Sequence, residues 1–337
     1  MIQEASMEEW KVLYETATGI KERKPWEEFW DMDLIGIQEA EDKEPVFFNI
    51  LGKNGECFGI IMYEGLSGLN NFFLLADQEK LNVSAEYAVF SQNNLACYWG
   101  NREELTDRQR EIVKELGYKY HGKNQWLYFV AHNDGYFPNM LNQEEVKRMT
   151  KALSLFAGAL DYWEENPLSV DFAHGNMYLY AYNAKEGQWQ GKEQPLPFTE
   201  YQFSHPKLTD ASLLEALKQA ERGNYRLEAE IDFWGMPLGE KRDDGRTRNH
   251  KVCLIADADS RRILKADIMG EEAEAAEWLI QYMVDFILGQ GAPGEILVSS
   301  QLVAVILRQI GELAGITITQ KDVLSTIESF MADMKKN

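Results

Sequence analysis

Acidic side chains are concentrated in KVCLIADADSRRILKADIMGEEAEAAEW, which covers residues 251–278. Asp257 and Asp259 close an apolar run, and Glu274 lies in the run of glutamates that opens a predicted helix over 271–288. Carboxylate oxygens are the ligands that Mg²⁺ prefers, and a pair of such ions can activate water against a phosphodiester. One interpretation is therefore a metal centre. The other is a hairpin whose aspartates accept hydrogen bonds from backbone amides of the turn.

The elements that would position these side chains follow residue 224 in a regular order. The patterns predict strands in YRLEAEIDFWGMP, KVCLIADAD, RRILKADIM, PGEILVSS and ITITQ, with a helix after each of the last three. The resulting order is β-β-β-α-β-α-β-α. This layout resembles the ribonuclease-H-like fold over about residues 224–335, and the resemblance is carried by EAEIDFW, KVCLIADAD, RRILKADI, the helix after Gly270, PGEILVSS and GITIT.

The resemblance implies a set of acidic positions, because nucleases of this fold hold two metal ions with carboxylates from separate elements. The residues available at those positions are Glu230 and Asp232 on the first strand, Glu274 and Glu277 on the first long helix, and Asp322 and Glu328 on the last helix. The fourth strand ends in Ser299 and Ser300, where the resemblance implies another acid. A neutral hydroxyl is a poor replacement for a ligand that offsets two dications, so we expect no metal or other cofactor.

Two functions of different classes follow from this incomplete acidic set. The first is a non-catalytic binding or interaction protein with a protein or small-molecule partner. The second is a divergent two-metal nuclease or phosphoesterase that uses Mg²⁺ or Mn²⁺, with Glu230, Asp232, Asp257 and Glu274 holding the ions. A structural role in a defence or mobile-element operon is a third interpretation.

A basic loop, KRDDGRTRNHK, lies at residues 241–251. Under the nuclease hypothesis, Arg242, Arg246 and Arg248 would contact phosphate. The alternative is a solvated hairpin loop. The five histidines are dispersed and form no HExxH motif, and the glycines match neither a phosphate-binding loop nor a nucleophile elbow, so no other catalytic centre is predicted.

The composition limits the partners and the location of the protein. A net charge of -21 disfavours nucleic acid and anionic membranes as partners. The cysteines Cys57, Cys97 and Cys253 are far apart, which is typical of free thiols in a reducing cytoplasm. The first residues carry no signal-peptide pattern, and no apolar run has the length of a membrane span. We therefore expect a cytoplasmic protein.

The length of 337 residues predicts two domains of mixed α and β structure, that is, an α+β protein. We predict an N-terminal α+β domain over 1–166, a connecting hairpin and Pro-containing linker over 167–208, and a ribonuclease-H-like domain over 209–337. In the first domain, Asn54-Gly55 predicts a hairpin, and AEYAVFSQNNLACYWGN predicts a second hairpin that turns near Asn93. Six aromatics are interpreted as core residues or as the lining of a pocket or a partner groove, namely Trp26, Phe29, Trp30, Trp99, Trp126 and Tyr136.

The whole chain resembles uncharacterised bacterial proteins of clostridial type that consist of domains of unknown function. The segments PWEEFWDMDLIGI, DFWGMPL and PGEILVSS carry this resemblance. It implies no particular activity.

Overall fold

The chain folds into two compact units. The computed structural model describes residues 3–238, 245–270 and 274–334. Unit 1 is formed by Met1–Phe73, Gln92–Tyr201 and Lys241–Arg246, and unit 2 by Leu74–Ser91, Gln202–Glu240 and Thr247–Asn337. The predicted α+β class with two domains is confirmed.

The described residues form helices and strands joined by loops, and residues 196–210 form neither a helix nor a strand. The first part of the chain contains α1 (Met7–Arg23), β1 (Ile35–Gln38), β2 (Val46–Leu51), β3 (Phe58–Glu64), α2 (Gly65–Ala76), α3 (Gln78–Leu81), α4 (Ala85–Phe90), β4 (Asn94–Gly100), α5 (Asp107–Glu115), β5 (Trp126–His132), α6 (Gln143–Glu165), β6 (Asn176–Asn183) and β7 (Gln188–Pro195). The second part contains α7 (Ala211–Lys218), β8 (Arg226–Phe233), β9 (Lys251–Asp257), β10 (Arg262–Ile268), α8 (Ala275–Gln290), β11 (Glu295–Val298), α9 (Gln301–Ala314), β12 (Thr317–Gln320) and α10 (Ser325–Met334).

Unit 1 is built on a sheet whose described strands run in the order β5-β4-β3-β2-β1-β6-β7. The β1–β6 pair is parallel, and the hairpin of β2 and β3 predicted from Asn54-Gly55 is present. α1 and α6 cover one face, where Phe48 stacks on Phe156 at a centroid distance of 4.7 Å. A second apolar cluster around Phe47 and Phe72 covers the other face. Burial on both faces explains why β2 and β3 are mostly apolar.

Two segments differ from the predicted layout of the first half. Residues 85–90 form α4 and not a strand, because the Ser84 hydroxyl accepts a hydrogen bond from the Tyr87 amide at 2.9 Å and so caps the helix. The predicted connecting hairpin forms β6 and β7, and β6 pairs with β1. The hairpin is therefore part of the unit 1 sheet.

Unit 2 is built on a sheet with the described order β10-β9-β8-β11-β12. β8, β9 and β10 are antiparallel neighbours, whereas β11 is parallel to both β8 and β12. From β8 to α10 the elements follow one another as β-β-β-α-β-α-β-α. The helix predicted over 271–288 is observed as α8, and its residues 271–273 lie outside the described part of the chain.

The two faces of the unit 2 sheet are covered by different helices. α7, α8 and α9 bury Leu227, Ala229 and Ile231 of β8 on one face. Ile327 of α10 and Leu324, just before this helix, cover the other face. None of the helices within residues 3–238, 245–270 and 274–334 combines the length and the apolar character that crossing a bilayer requires.

Candidate functional site

A cavity of about 260 Å³ lies beside α10 in unit 2. Side chains of alternate strand residues leave the strand on the same side, so Glu228, Glu230 and Asp232 of β8 all face α10. Glu230 and Asp232 line the cavity, and Asp322 and Glu328 line it from the α10 side. The remaining lining residues are Asn82, Val83, Ser84, Leu254, Ser299, Leu324, Ile327 and Met331.

Glu230 is the buried acid of this cavity. Its residue is 8% exposed, and its Oε1 accepts a hydrogen bond from the Ile231 amide at 3.0 Å. The Ser299 hydroxyl donates a hydrogen bond to its Oε2. Burial raises the pKa of Glu230 to about 8, and the negative charge of Asp232 acts in the same direction. The carboxyl group of Glu230 is therefore largely protonated at neutral pH.

Ser299 is held in place by the segments around it. Its carbonyl oxygen accepts hydrogen bonds from the side-chain amides of Asn82 and Gln320, each at 2.9 Å. The next residue, Ser300, caps α9 by accepting a hydrogen bond from the Val303 amide at 3.2 Å. Two bonds to the Ser299 carbonyl fix the backbone, so the hydroxyl is directed at Glu230.

The carboxylate of Asp232 accepts hydrogen bonds from groups of unit 2. Its Oδ1 accepts hydrogen bonds from the Ser84 hydroxyl and from the Phe233 amide, both at 2.8 Å. The same Ser84 hydroxyl accepts the capping bond of α4, so the helix terminus and the Asp232 carboxylate are tied to one side chain. The orientation of Asp232 is therefore set by α4.

The donor set of this cavity fits a pair of divalent cations poorly. The residue that follows β11 is a serine that bonds to Glu230, and the burial that raises the pKa of Glu230 disfavours the charged form that Mg²⁺ binds. Within the described parts of the chain, no three His, Cys, Asp or Glu side chains are grouped so that they could hold a metal ion. The cavity brings acids together without forming a metal-binding cluster among those residues.

Asp257 and Glu274 lie outside this cavity, so the four acids of the nuclease hypothesis do not line one site. Asp257 Oδ1 accepts hydrogen bonds from the amides of Asp259 and Ser260, both at 2.9 Å, in the turn between β9 and β10. Asp259 forms an ion pair with Arg226, with 2.6 Å between Asp259 Oδ1 and Arg226 Nη2. Glu274 is exposed at the N-cap position of α8 and makes no capping bond with its side chain. The hairpin interpretation therefore describes Asp257, whereas Asp259 bonds to Arg226 of β8.

Replacing Asp257 by alanine is expected to lower the free energy of unfolding by about 1 kcal/mol, because two turn amides lose their acceptor. Urea unfolding of the full chain measures the change. Asp285→Ala, on the exposed side of α8, is the matched control and should change stability by less than about 0.5 kcal/mol. A loss above about 3 kcal/mol for Asp257→Ala would contradict a role limited to the turn.

The basic loop is described only in part, and Arg242 lies outside the described residues. Arg246 donates a hydrogen bond to Asn133 Oδ1 at 2.8 Å and lies over the Tyr136 ring, 4.8 Å from its centroid. Arg248 donates to the Gly270 carbonyl at 2.8 Å. Both arginines therefore bond to groups of the protein itself.

Two family models match the chain in succession. The model of a domain of unknown function, DUF7309, matches residues 10–180. The chain belongs to the DUF7309 family. The model of a second domain of unknown function, DUF6930, matches residues 213–335. No curated protein matches the chain. These two matches confirm the prediction that the protein consists of domains of unknown function.

Three residues in and around this cavity of the DUF7309 protein were not predicted from its sequence. Glu228 could have been found, because Glu228, Glu230 and Asp232 alternate along β8 and must share a face. Ser84 carried a weaker signal as a helix N-cap, because Tyr, Val and Phe after it favour a strand. Asn82 carried no signal, because its contact with Ser299 spans 217 residues of the chain.

Proposed function

We propose that this protein is a non-catalytic binding or interaction protein whose C-terminal part has a ribonuclease-H-like frame. The observation that carries the proposal is the pair of Glu230 and Ser299. A neutral acid bonded to a serine hydroxyl replaces the charged ligands that a two-metal mechanism needs. Two features support a ribonuclease-H-like fold of the C-terminal part. These are the element order from β8 to α10 and the helices that cover both faces of the sheet.

The alternative function is a divergent two-metal nuclease or phosphoesterase. One observation favours it, namely that Glu230, Asp232, Asp322 and Glu328 line a single cavity. Under this alternative the acids of α10 would replace Asp257 and Glu274 as ligands. The neutral state of Glu230 weighs against it, because a protonated carboxyl offers less charge to a dication.

Isothermal titration of the full chain with MnCl₂ and MgCl₂ at about pH 7, together with a nuclease assay on single-stranded, double-stranded and hybrid substrates, tests the proposal. We expect no saturable binding of two ions and no cleavage. Binding of two ions together with cleavage that Glu230→Gln abolishes would overturn the proposal. Glu277→Gln, an exposed acid of α8, is the matched control and should behave as the unchanged protein does.

A cytoplasmic location and a bacterial source belong to the same proposal. The composition supports them, since the net charge is -21. The thiols support a reducing compartment, because Cys57, Cys97 and Cys253 are all free and two of them are buried. A protein or small-molecule partner is proposed, and the acidic composition disfavours nucleic acid.

A further inference from the structure

A second cavity, of about 700 Å³, lies in unit 1 next to α5 and the start of β5. Its volume falls in the range of roughly 300–1,000 Å³ that small-molecule sites occupy. The chain leaves α5 through Gly117, whose φ is +80°, and the loop that follows forms part of the wall. The amides of Gly117 and Tyr118 bond to the Lys114 and Val113 carbonyls, both at 3.1 Å, so the loop is fastened to the helix end.

One wall of this cavity is aromatic. Tyr118 and Tyr120 stack on each other with ring centroids 5.5 Å apart and an interplanar angle of 12°. Trp126 meets Tyr120 edge to face at 5.8 Å. All three rings are partly buried and line the cavity. Such a wall offers π faces and edges to a flat ring.

The charges that line the cavity leave an excess of positive charge. Its lining contains four Lys and Arg side chains, Arg102, Arg110, Lys114 and Lys119, against the two carboxylates Asp107 and Glu111. Asp107 pairs with Arg110, and Glu111 pairs with Arg108, which also pairs with Glu4 and Glu115.

Three lining cations have no such partner. Arg102, Lys114 and Lys119 form no ion pair with any residue in the described ranges. Arg102 instead lies over Trp126, with 5.9 Å from its guanidinium carbon to the ring centroid. This local excess of positive charge, in a chain whose net charge is -21, would attract an anionic ligand to the cavity.

We propose that this cavity binds a small anion that carries an aromatic ring, of the chemical class of nucleoside phosphates. The ring would stack on the wall of Tyr118, Tyr120 and Trp126, and the phosphate would lie among Arg102, Lys114 and Lys119. Every base can stack on tyrosine and tryptophan rings. The cavity therefore indicates the class of ligand and does not select one base. The cavity lies in unit 1, and its ligand is independent of the carboxylate cavity of unit 2.

The test is a calorimetric titration of the full chain with AMP, adenosine and pyrophosphate as separate probes. We expect saturable binding of AMP, with adenosine and pyrophosphate each at least about tenfold weaker because each lacks one half of the recognised group. The AMP affinity should fall as NaCl is raised, since the cations are exposed to solvent. Absence of saturable AMP binding up to about 1 mM would overturn the proposal.

Variants locate the binding within the molecule. The double change Lys114→Glu with Lys119→Glu should weaken AMP binding by at least about tenfold. The double change Lys185→Glu with Lys192→Glu, at two exposed lysines of the β6–β7 hairpin, makes the same change of net charge and should stay within about twofold of the unchanged protein. Tryptophan fluorescence of the full chain should change when AMP binds, because its ring would stack beside Trp126. Trp126→Phe should remove most of this change while keeping an aromatic ring in the wall. Equal effects of the cavity variant and the hairpin control would refute the site.

Discussion

Replacing Glu230 by glutamine is expected to stabilise the protein at alkaline pH and to leave its stability at about pH 5 nearly unchanged. Burial raises the pKa of this carboxyl from 4.5 to about 8, so the folded protein holds the proton over a range where the unfolded chain releases it. The contribution of Glu230 to stability is therefore fully present below the unfolded pKa and is lost as the pH rises through the folded one. At about 1.4 kcal/mol per pH unit, the loss is on the order of 5 kcal/mol.

Glutamine removes this loss because it resembles the neutral acid in shape and cannot ionise. Its oxygen can accept the hydrogen bond from Ile231, and its amide can bond to Ser299. Urea unfolding of both proteins at about pH 5, pH 7 and pH 9 measures the difference. Glu277→Gln on α8 is the control and should show a pH-independent difference. Parallel stability curves for the Glu230 variant and the unchanged protein would mean that Glu230 is ionised in the folded state.

Replacing Glu228 by alanine is expected to lower the free energy of unfolding by about 3–5 kcal/mol. This acid is 2% exposed and accepts hydrogen bonds from the amides of Thr326 and Ile327, each at 3.0 Å, and from the Thr326 hydroxyl at 3.2 Å. α10 begins at Ser325, so these amides belong to its first turn and have no acceptor within the helix. The carboxylate also interacts favourably with the positive end of the helix dipole.

A comparison of Glu228→Gln with Glu228→Ala separates the loss of the hydrogen bonds to α10 from the loss of side-chain volume. Glu228→Gln keeps one acceptor oxygen and should cost about 1–2 kcal/mol, which is less than the alanine variant costs. Glu215→Ala removes an exposed acid of α7 and should cost less than about 0.5 kcal/mol. Hydrogen exchange of the α10 amides reports whether the helix itself loosens. If Glu228→Ala costs no more than the Glu215 control, the bonds to α10 do not stabilise the unit.

The two predictions concern acids of one strand that serve different purposes. Glu228 and Glu230 lie two residues apart on the same face of β8, and both are nearly inaccessible to water. Backbone amides of a helix terminus surround the first, whereas a serine hydroxyl and one amide bond to the second. The environment of each carboxyl group, and not its residue type or spacing, decides what it contributes to the stability of the protein.

Local patterns were sufficient for most elements of unit 2. The β-β-β-α-β-α-β-α order was predicted because each element there has a clear apolar period and a marked end, such as Gly270 before α8. The position of Ser299 just after the fourth strand of that series was predicted for the same reason. The α4 segment was predicted incorrectly, because its Tyr, Val and Phe favour a strand locally. In the structure Tyr87 and Phe90 pack on Phe233 with ring centroids 5.7 Å and 5.6 Å away, which stabilises the helix.

By itself the sequence determined the α+β class, the order of the elements from β8 to α10 and the absence of an acid at the end of β11, since these depend on residues close together in the chain. Only the tertiary structure decided which acids share a cavity. Asp257 is separated from Asp322 and Glu328 because it faces its own turn, and segment 82–84 reaches the cavity from far away in the chain. Convergence of side chains depends on how helices pack on the sheet, and the pattern of one strand carries no information about its distant neighbours.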